Sequence, residues 1–177
     1  MQTHNSFLDE LKSLYNRSTF MKLIFLNVAV FLAIQIFLVF ARMAGNELNG
    51  AYYIAKIFSM PVGWSEFIRQ PWSVITSIFS HFGFLHLLLN MLMLYFVGRI
   101  FEQIYSGRKL LYTYLLGGLA GSIFELLSHI IFPNLFEIPY TVVGASGAIM
   151  ALFVLLAFSQ PHLKVSLIFL PPIRIVW

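Results

Sequence analysis

An all-α bundle of membrane-spanning helices is the fold that the sequence predicts, and three observations carry it. Hydrophobic residues make up 59% of the 177 and charged ones only 10%, against about 45–50% and 25% in soluble domains. At a mean hydropathy of +0.83 there is too little polar surface to coat a soluble globule, and a disordered chain is excluded by the same composition. Uncharged apolar runs recur at 23–41, 70–98 and 138–163; the first is about the ~20 residues that one span needs, and the other two are longer. Basic residues concentrate at the flanks of these runs, as membrane topology requires. The net charge of +4 is spread along the chain, which argues against a nucleic-acid footprint. There is no cysteine, so disulfides, thiolate zinc sites and a cysteine nucleophile are excluded.

Taken in order, residues 1–21 form a polar N-terminal segment, and 22–177 one membrane domain. Asp9, Glu10, Lys12 and Arg17 alternate there with Phe7, Leu8, Leu11, Leu14 and Tyr15, which predicts a short amphipathic helix on the membrane surface. The run that follows is too long for a signal-peptide core and ends in no A-x-A-like site. It is the first spanning helix, flanked by Lys22 and Arg42.

Residues 43–72 carry Pro61, Gly63 and Pro71 with Tyr52, Tyr53, Trp64 and Trp72. Such a connection belongs at the headgroup boundary and is too long to lack structure, so short interfacial helices are expected. A second spanning helix begins near His81–Leu85 and ends before the charged turn of Arg99, Glu102, Arg108 and Lys109. A third runs from about 110 to 129 with Glu125 inside it. A fourth lies within 138–163, and 165–177 open a fifth. Basic residues place the N-terminus in the cytoplasm, with helices two and four both starting on the outer side. Arg42, Lys56 and Arg69 lie against that pattern.

Polar groups inside apolar runs carry the functional information. In HFGFLHLLLN (81–90), His86 and Asn90 stand at i and i+4 on one helix face. Two donors could converge there on one oxygen, or the pair could brace neighbouring helices. In VVGASGAIMAL (142–152), Ser146 sits between Gly144 and Gly147 at the start of helix four. That position suits a nucleophile with a helix dipole behind it, and equally a packing face of small residues. Because both helices start on the outer side, Ser146, His86 and Asn90 share one depth just below the outer interface, which favours a nucleophile with an oxyanion hole. Gly117, Gly118 and Gly121 predict close helix packing. Glu102 is expected to pair with Arg99 or an adjacent loop, and Glu125 to make a structural hydrogen bond. No general base is evident. His162 lies roughly 24 Å further along a helix axis, Lys164 shares that end, His129 is poorly placed, and His81 and His86 stand where anchors or oxyanion donors would.

These residues resemble the rhomboid family of intramembrane serine proteases over about residues 70–172. The match runs through QPWSVITSIFSHFGFLHLLLNMLMLYFVGRIFEQIYSGRKLLYTYLLGGLAGS and on to GASGAIMAL; GRIFEQ and the GG-x-x-G helix are similar to the bacterial branch. The resemblance implies a six-helix bundle with the nucleophile Ser146 topping the fourth helix. His86, Asn90 and the Ser146 amide would stabilise the oxyanion, and the 43–72 connection would be a membrane-dipping loop. Substrates would be transmembrane segments of other proteins, cleaved near the outer interface with no metal, nucleotide or other cofactor. The expected location is the bacterial cytoplasmic membrane.

Three departures stand out. Trp72-Ser73 replaces a frequent Trp-Arg, and Met150 takes a position that is tyrosine in some members. The family's general base is a histidine on the sixth helix, whereas this sequence stops in what should be the fifth. A C-terminal truncation is therefore expected, with the base beyond residue 177 and the 177-residue chain inactive alone. The alternative is a catalytically inactive rhomboid-like protein that holds client transmembrane helices. A channel would need ionisable groups through the membrane depth rather than at one level.

Overall fold

The computed structural model describes residues 9, 12–13, 15–16, 18–132, 141–160, 164–165 and 173–174. Its helices are α1 (Thr19–Met43), α2 (Glu47–Phe58), α3 (Trp64–Arg69), α4 (Ser73–Thr76, continued by a 3-10 turn Ser77–Phe79), α5 (Phe84–Ile104), α6 (Gly107–Ile131) and α7 (Ser146–Ser159). Two-residue strands β1 (Met60–Pro61) and β2 (Thr141–Val142) pair with each other, as do β3 (Lys164–Val165) and β4 (Ile173–Arg174).

The apolar runs become helices because only a helix satisfies every backbone group within its own segment in lipid. Three of them, α1, α5 and α6, are long and apolar enough to cross a membrane. The expected fourth helix forms as α7, apolar but only 14 residues long. Outward-facing Leu116, Phe124 and Phe158 are largely exposed, as befits a multi-pass membrane protein whose apolar exterior meets acyl chains.

Four contacts fix how the helices run. The Thr19 amide at the start of α1 donates to Glu102 Oε1 at 2.6 Å, near the end of α5. Glu102 thus caps a helix N-terminus, where a carboxylate meets both unpaired amides and the positive dipole end, rather than the Arg99 or loop partner the sequence suggested. At the opposite end Gln35 Nε2 donates to Phe82 O at 3.2 Å, just before α5. Midway, the buried Asn27 donates to Leu23 O at 2.8 Å and to the Tyr114 hydroxyl at 3.2 Å, locking α1 to α6. The predicted glycine face of α6 meets α7: a Cβ on Gly117 would overlap that of Ala151, and one on Gly121 would stand 3.6 Å from Gly147 Cα. The helices therefore alternate in direction, and the starts of α5 and α7 share one end of the bundle.

The 43–72 connection folds into α2 and α3, the short helices its composition predicts. Antiparallel pairing of Met60 with Val142 and Pro61 with Thr141 ties it to the segment entering α7. Of the predicted N-terminal amphipathic helix, residues 9, 12–13 and 15–16 are helical, and its apolar partners Phe7, Leu8, Leu11 and Leu14 lie outside the described residues. So does most of the predicted fifth-helix opening, where Lys164–Val165 and Ile173–Arg174 pair as a short ladder.

Candidate active site

Ser146 is the first residue of α7, exposed, with Ala145 before it as the N-cap. The first backbone bond within α7 is Ile149 N to Ala145 O at 2.9 Å. Amides ahead of it have no acceptor inside the helix, so the Ser146 end presents N–H groups and the positive end of the helix dipole.

The backbone reaches this point through Gly144 at φ +117°, a conformation that glycine alone adopts without strain. Gly144 also has no room for a side chain: a Cβ there would stand 2.8 Å from both Cε1 and Nε2 of His86. The Gly144 amide donates to Ser77 O at 2.9 Å, anchoring the turn to the 3-10 segment. His86, in the first turn of α5, is exposed, with its ring edge-on to that of His81 at a centroid distance of 5.0 Å.

His81 lies in the turn ahead of α5, outside the membrane-crossing helices, and is fully buried. Burial first, and then the neighbouring His86, push its pKa down to about 4. The ring is therefore neutral at pH 7, and its Nε2 accepts from Ala145 N at 3.4 Å. Of the two roles that the sequence leaves open for His81, its position is that of an anchor for the α7 N-terminus.

Asn90 is buried one turn below His86, and its Nδ2 donates to the His86 carbonyl at 2.9 Å. A primary amide has a second N–H, and Asn90 shares a cavity of about 280 Å³ with Ser146, Leu89, Met93, Met150 and Phe153. A further cavity of about 240 Å³ is lined by Ser77, Gly121, Glu125, Gly144, Ser146 and Gly147. Ser146 lines both, so the residue stands between two spaces. The structure thus brings Ser146, His86 and Asn90 to one end of the bundle. Sequence reasoning missed the Ser77 carbonyl, which no side chain signals, and the contact of His81 with the Ala145 amide. Among the described residues no group of three or more His, Asp or Glu side chains is placed to hold a metal ion.

With this geometry in place, the comparisons with known proteins define the class. Residues 68–177 match the family model described as the Rhomboid domain, and the chain belongs to the rhomboid family. It is 32% identical over 123 residues to the Rhomboid protease GluP of Bacillus subtilis, covering 68% of this chain and 22% of that protein. It is 37% identical over 91 residues to RHOMBOID-like protein 2 of Arabidopsis thaliana, covering 50% and 26%. The mitochondrial Rhomboid protein 1 of Saccharomyces cerevisiae is 30% identical over 108 residues, covering 60% and 30%. The chain therefore spans less than a third of the length of these relatives. No solved structure matches it.

Proposed function

We propose that the protein is an intramembrane serine endopeptidase in which Ser146 is the nucleophile. The observation that carries this reading is the meeting of Ser146, at a helix N-terminus and open to two cavities, with His86 packed on Gly144 two residues before it. The Ser146 hydroxyl attacks a peptide carbonyl to give a tetrahedral oxyanion, which collapses to an acyl-enzyme with release of the amine; water then hydrolyses the ester. The Ser146 amide, His86 and the second N–H of Asn90 stabilise the oxyanion, aided by the dipole of α7. A hydroxyl is a poor nucleophile at neutral pH, so a base must take its proton. In this proposal a histidine encoded beyond residue 177 supplies it.

Substrates are transmembrane segments of other proteins, reached from the bilayer and cut near the outer interface. A helix of 14 residues spans about 21 Å against a hydrocarbon core of about 30 Å. If the far end of α7 reaches the cytoplasmic boundary, Ser146 stands about 9 Å below the outer one. That depth suits cleavage inside a substrate helix rather than outside the membrane.

The test is labelling by a fluorophosphonate of the protein translated from its full reading frame, alongside cleavage of a membrane-anchored reporter. Wild type should label and cleave, and Ser146→Ala should do neither. Absence of labelling in a chain that carries the downstream histidine would overturn the protease reading in favour of a client-binding rhomboid-like protein.

A further inference from the structure

A third cavity, of about 320 Å³, sits in the connection between α1 and α5, and its walls include Tyr52, Lys56, Glu66, Arg69, Gln70 and Thr141. It shares no lining residue with either cavity at Ser146. Its chemistry answers a question left by the charge pattern, since Arg42, Lys56 and Arg69 lie on the side where basic residues are disfavoured. Arg42 is accounted for by an ion pair with Glu47 at 2.6 Å. Lys56 on α2, its Nζ 5.9 Å over the Tyr52 ring, and Arg69 on α3 instead both line the cavity, and neither has an ion pair among the described residues.

Two further features suit an acceptor-rich ligand. Gln70 is 9% exposed; its backbone carbonyl accepts from Ser73 Oγ at 2.6 Å and its backbone amide donates to Phe67 O at 3.0 Å, which leaves the side-chain amide. Gln70 lines the cavity, where its side-chain amide can donate to a ligand. The one carboxylate there, Glu66, accepts from the Ser65 hydroxyl at 2.7 Å; that bond, then its own backbone amide and, more weakly, the charge of Arg69 hold its pKa below the usual carboxylate value. It makes no ion pair with either cation among the described residues.

We infer that this cavity binds a phosphate group, that of a phospholipid headgroup. Two cations and an amide donor match the oxygens of a phosphodiester. Exposed Tyr52, Tyr53, Trp64 and Trp72 on the same connection set it at headgroup level, where lipid phosphate is the abundant anion. The inference is independent of the protease reading.

The test uses the whole chain in detergent, offered phosphatidylglycerol or a diacylglycerol of the same acyl chains, with retained lipid read by native mass spectrometry. Phosphatidylglycerol should be retained and diacylglycerol lost. Lys56→Gln with Arg69→Gln should lower phosphatidylglycerol retention about tenfold or more, the scale expected for two basic residues at a membrane surface. Arg42→Gln removes a charge from the adjoining end of α1 and should leave retention unchanged. Equal retention by wild type and the double variant, or an equal loss with Arg42→Gln, overturns the site. Displacement of the lipid by millimolar inorganic phosphate assigns the site to solute phosphate and overturns the lipid; failure to displace assigns it to the headgroup.

Discussion

Gly144 is the position at which a single atom has the largest consequence. Its φ of +117° disfavours any Cβ, at a cost of order 1–3 kcal/mol, and the added methyl would press on the His86 imidazole. Gly144→Ala should therefore displace His86 and lower reporter cleavage by the full-length protein at least tenfold, while the protein still reaches the membrane; unchanged cleavage would show that His86 does not need this seat. His81 gives a pH prediction of fixed sign. Its folded pKa of about 4 lies below the ordinary 6.5, so the folded state resists protonation. Its contribution to stability is complete above pH 6.5 and is lost as pH falls from 6.5 through 4. Thermal unfolding in detergent should show a steeper loss over that window for wild type than for His81→Gln; parallel curves would contradict it. Much of this site was legible, because the i, i+4 spacing of His86 and Asn90 and the glycines around Ser146 are side-chain facts. The engagement of Asn90 with the His86 carbonyl and of Gly144 with Ser77 O was not, since a backbone carbonyl leaves no mark on sequence.

Between elements, the contact of α6 with α7 sets where Ser146 stands, and its glycines are unequal. A side chain at Gly117 would run into Ala151, with the Ala148 backbone 3.6 Å behind it, whereas Gly121 faces Gly147 Cα at an ordinary 3.6 Å. Gly117→Val should cost about 1–3 kcal/mol by overpacking, and Gly121→Ala should be nearly neutral. Unfolding in mixed micelles checks the order, and equal effects would show that the two helices slide freely. This face was readable from G-x-x-x-G because small residues at helical spacing have one common use in membranes. The cap of α1 by Glu102 and the Asn27–Tyr114 bond were not, because they join residues far apart in sequence. The β1–β2 ladder escaped for a different reason: two residues are too few to show a strand's alternation.

At the scale of the whole molecule, the alternating helix directions and the charge pattern make one prediction about sidedness. The end of α5 and the start of α6 hold Arg99, Arg108 and Lys109, and they share an end of the bundle with the start of α1 through the Thr19–Glu102 bond. The connection containing α2 and α3 is held at the other end, with Ser146, by the β1–β2 pairing. Positive charge favours the cytoplasm for the first of these ends, which puts the catalytic candidate near the outer face. Since the chain has no cysteine, single cysteines can report on this against a blank background. Ser65→Cys, exposed on α3, should react with an impermeant maleimide in intact cells or spheroplasts. Lys109→Cys, exposed at the start of α6, should react only after permeabilisation. Ser146→Cys should react from the same side as Ser65→Cys but more slowly, because the proposed site puts its thiol below the interface in a cavity that water must enter. Reversal of the first two patterns would invert the topology, and a Ser146→Cys thiol as fast as that of Ser65→Cys would put the nucleophile at the surface, where a substrate helix would have to leave the membrane to be cut.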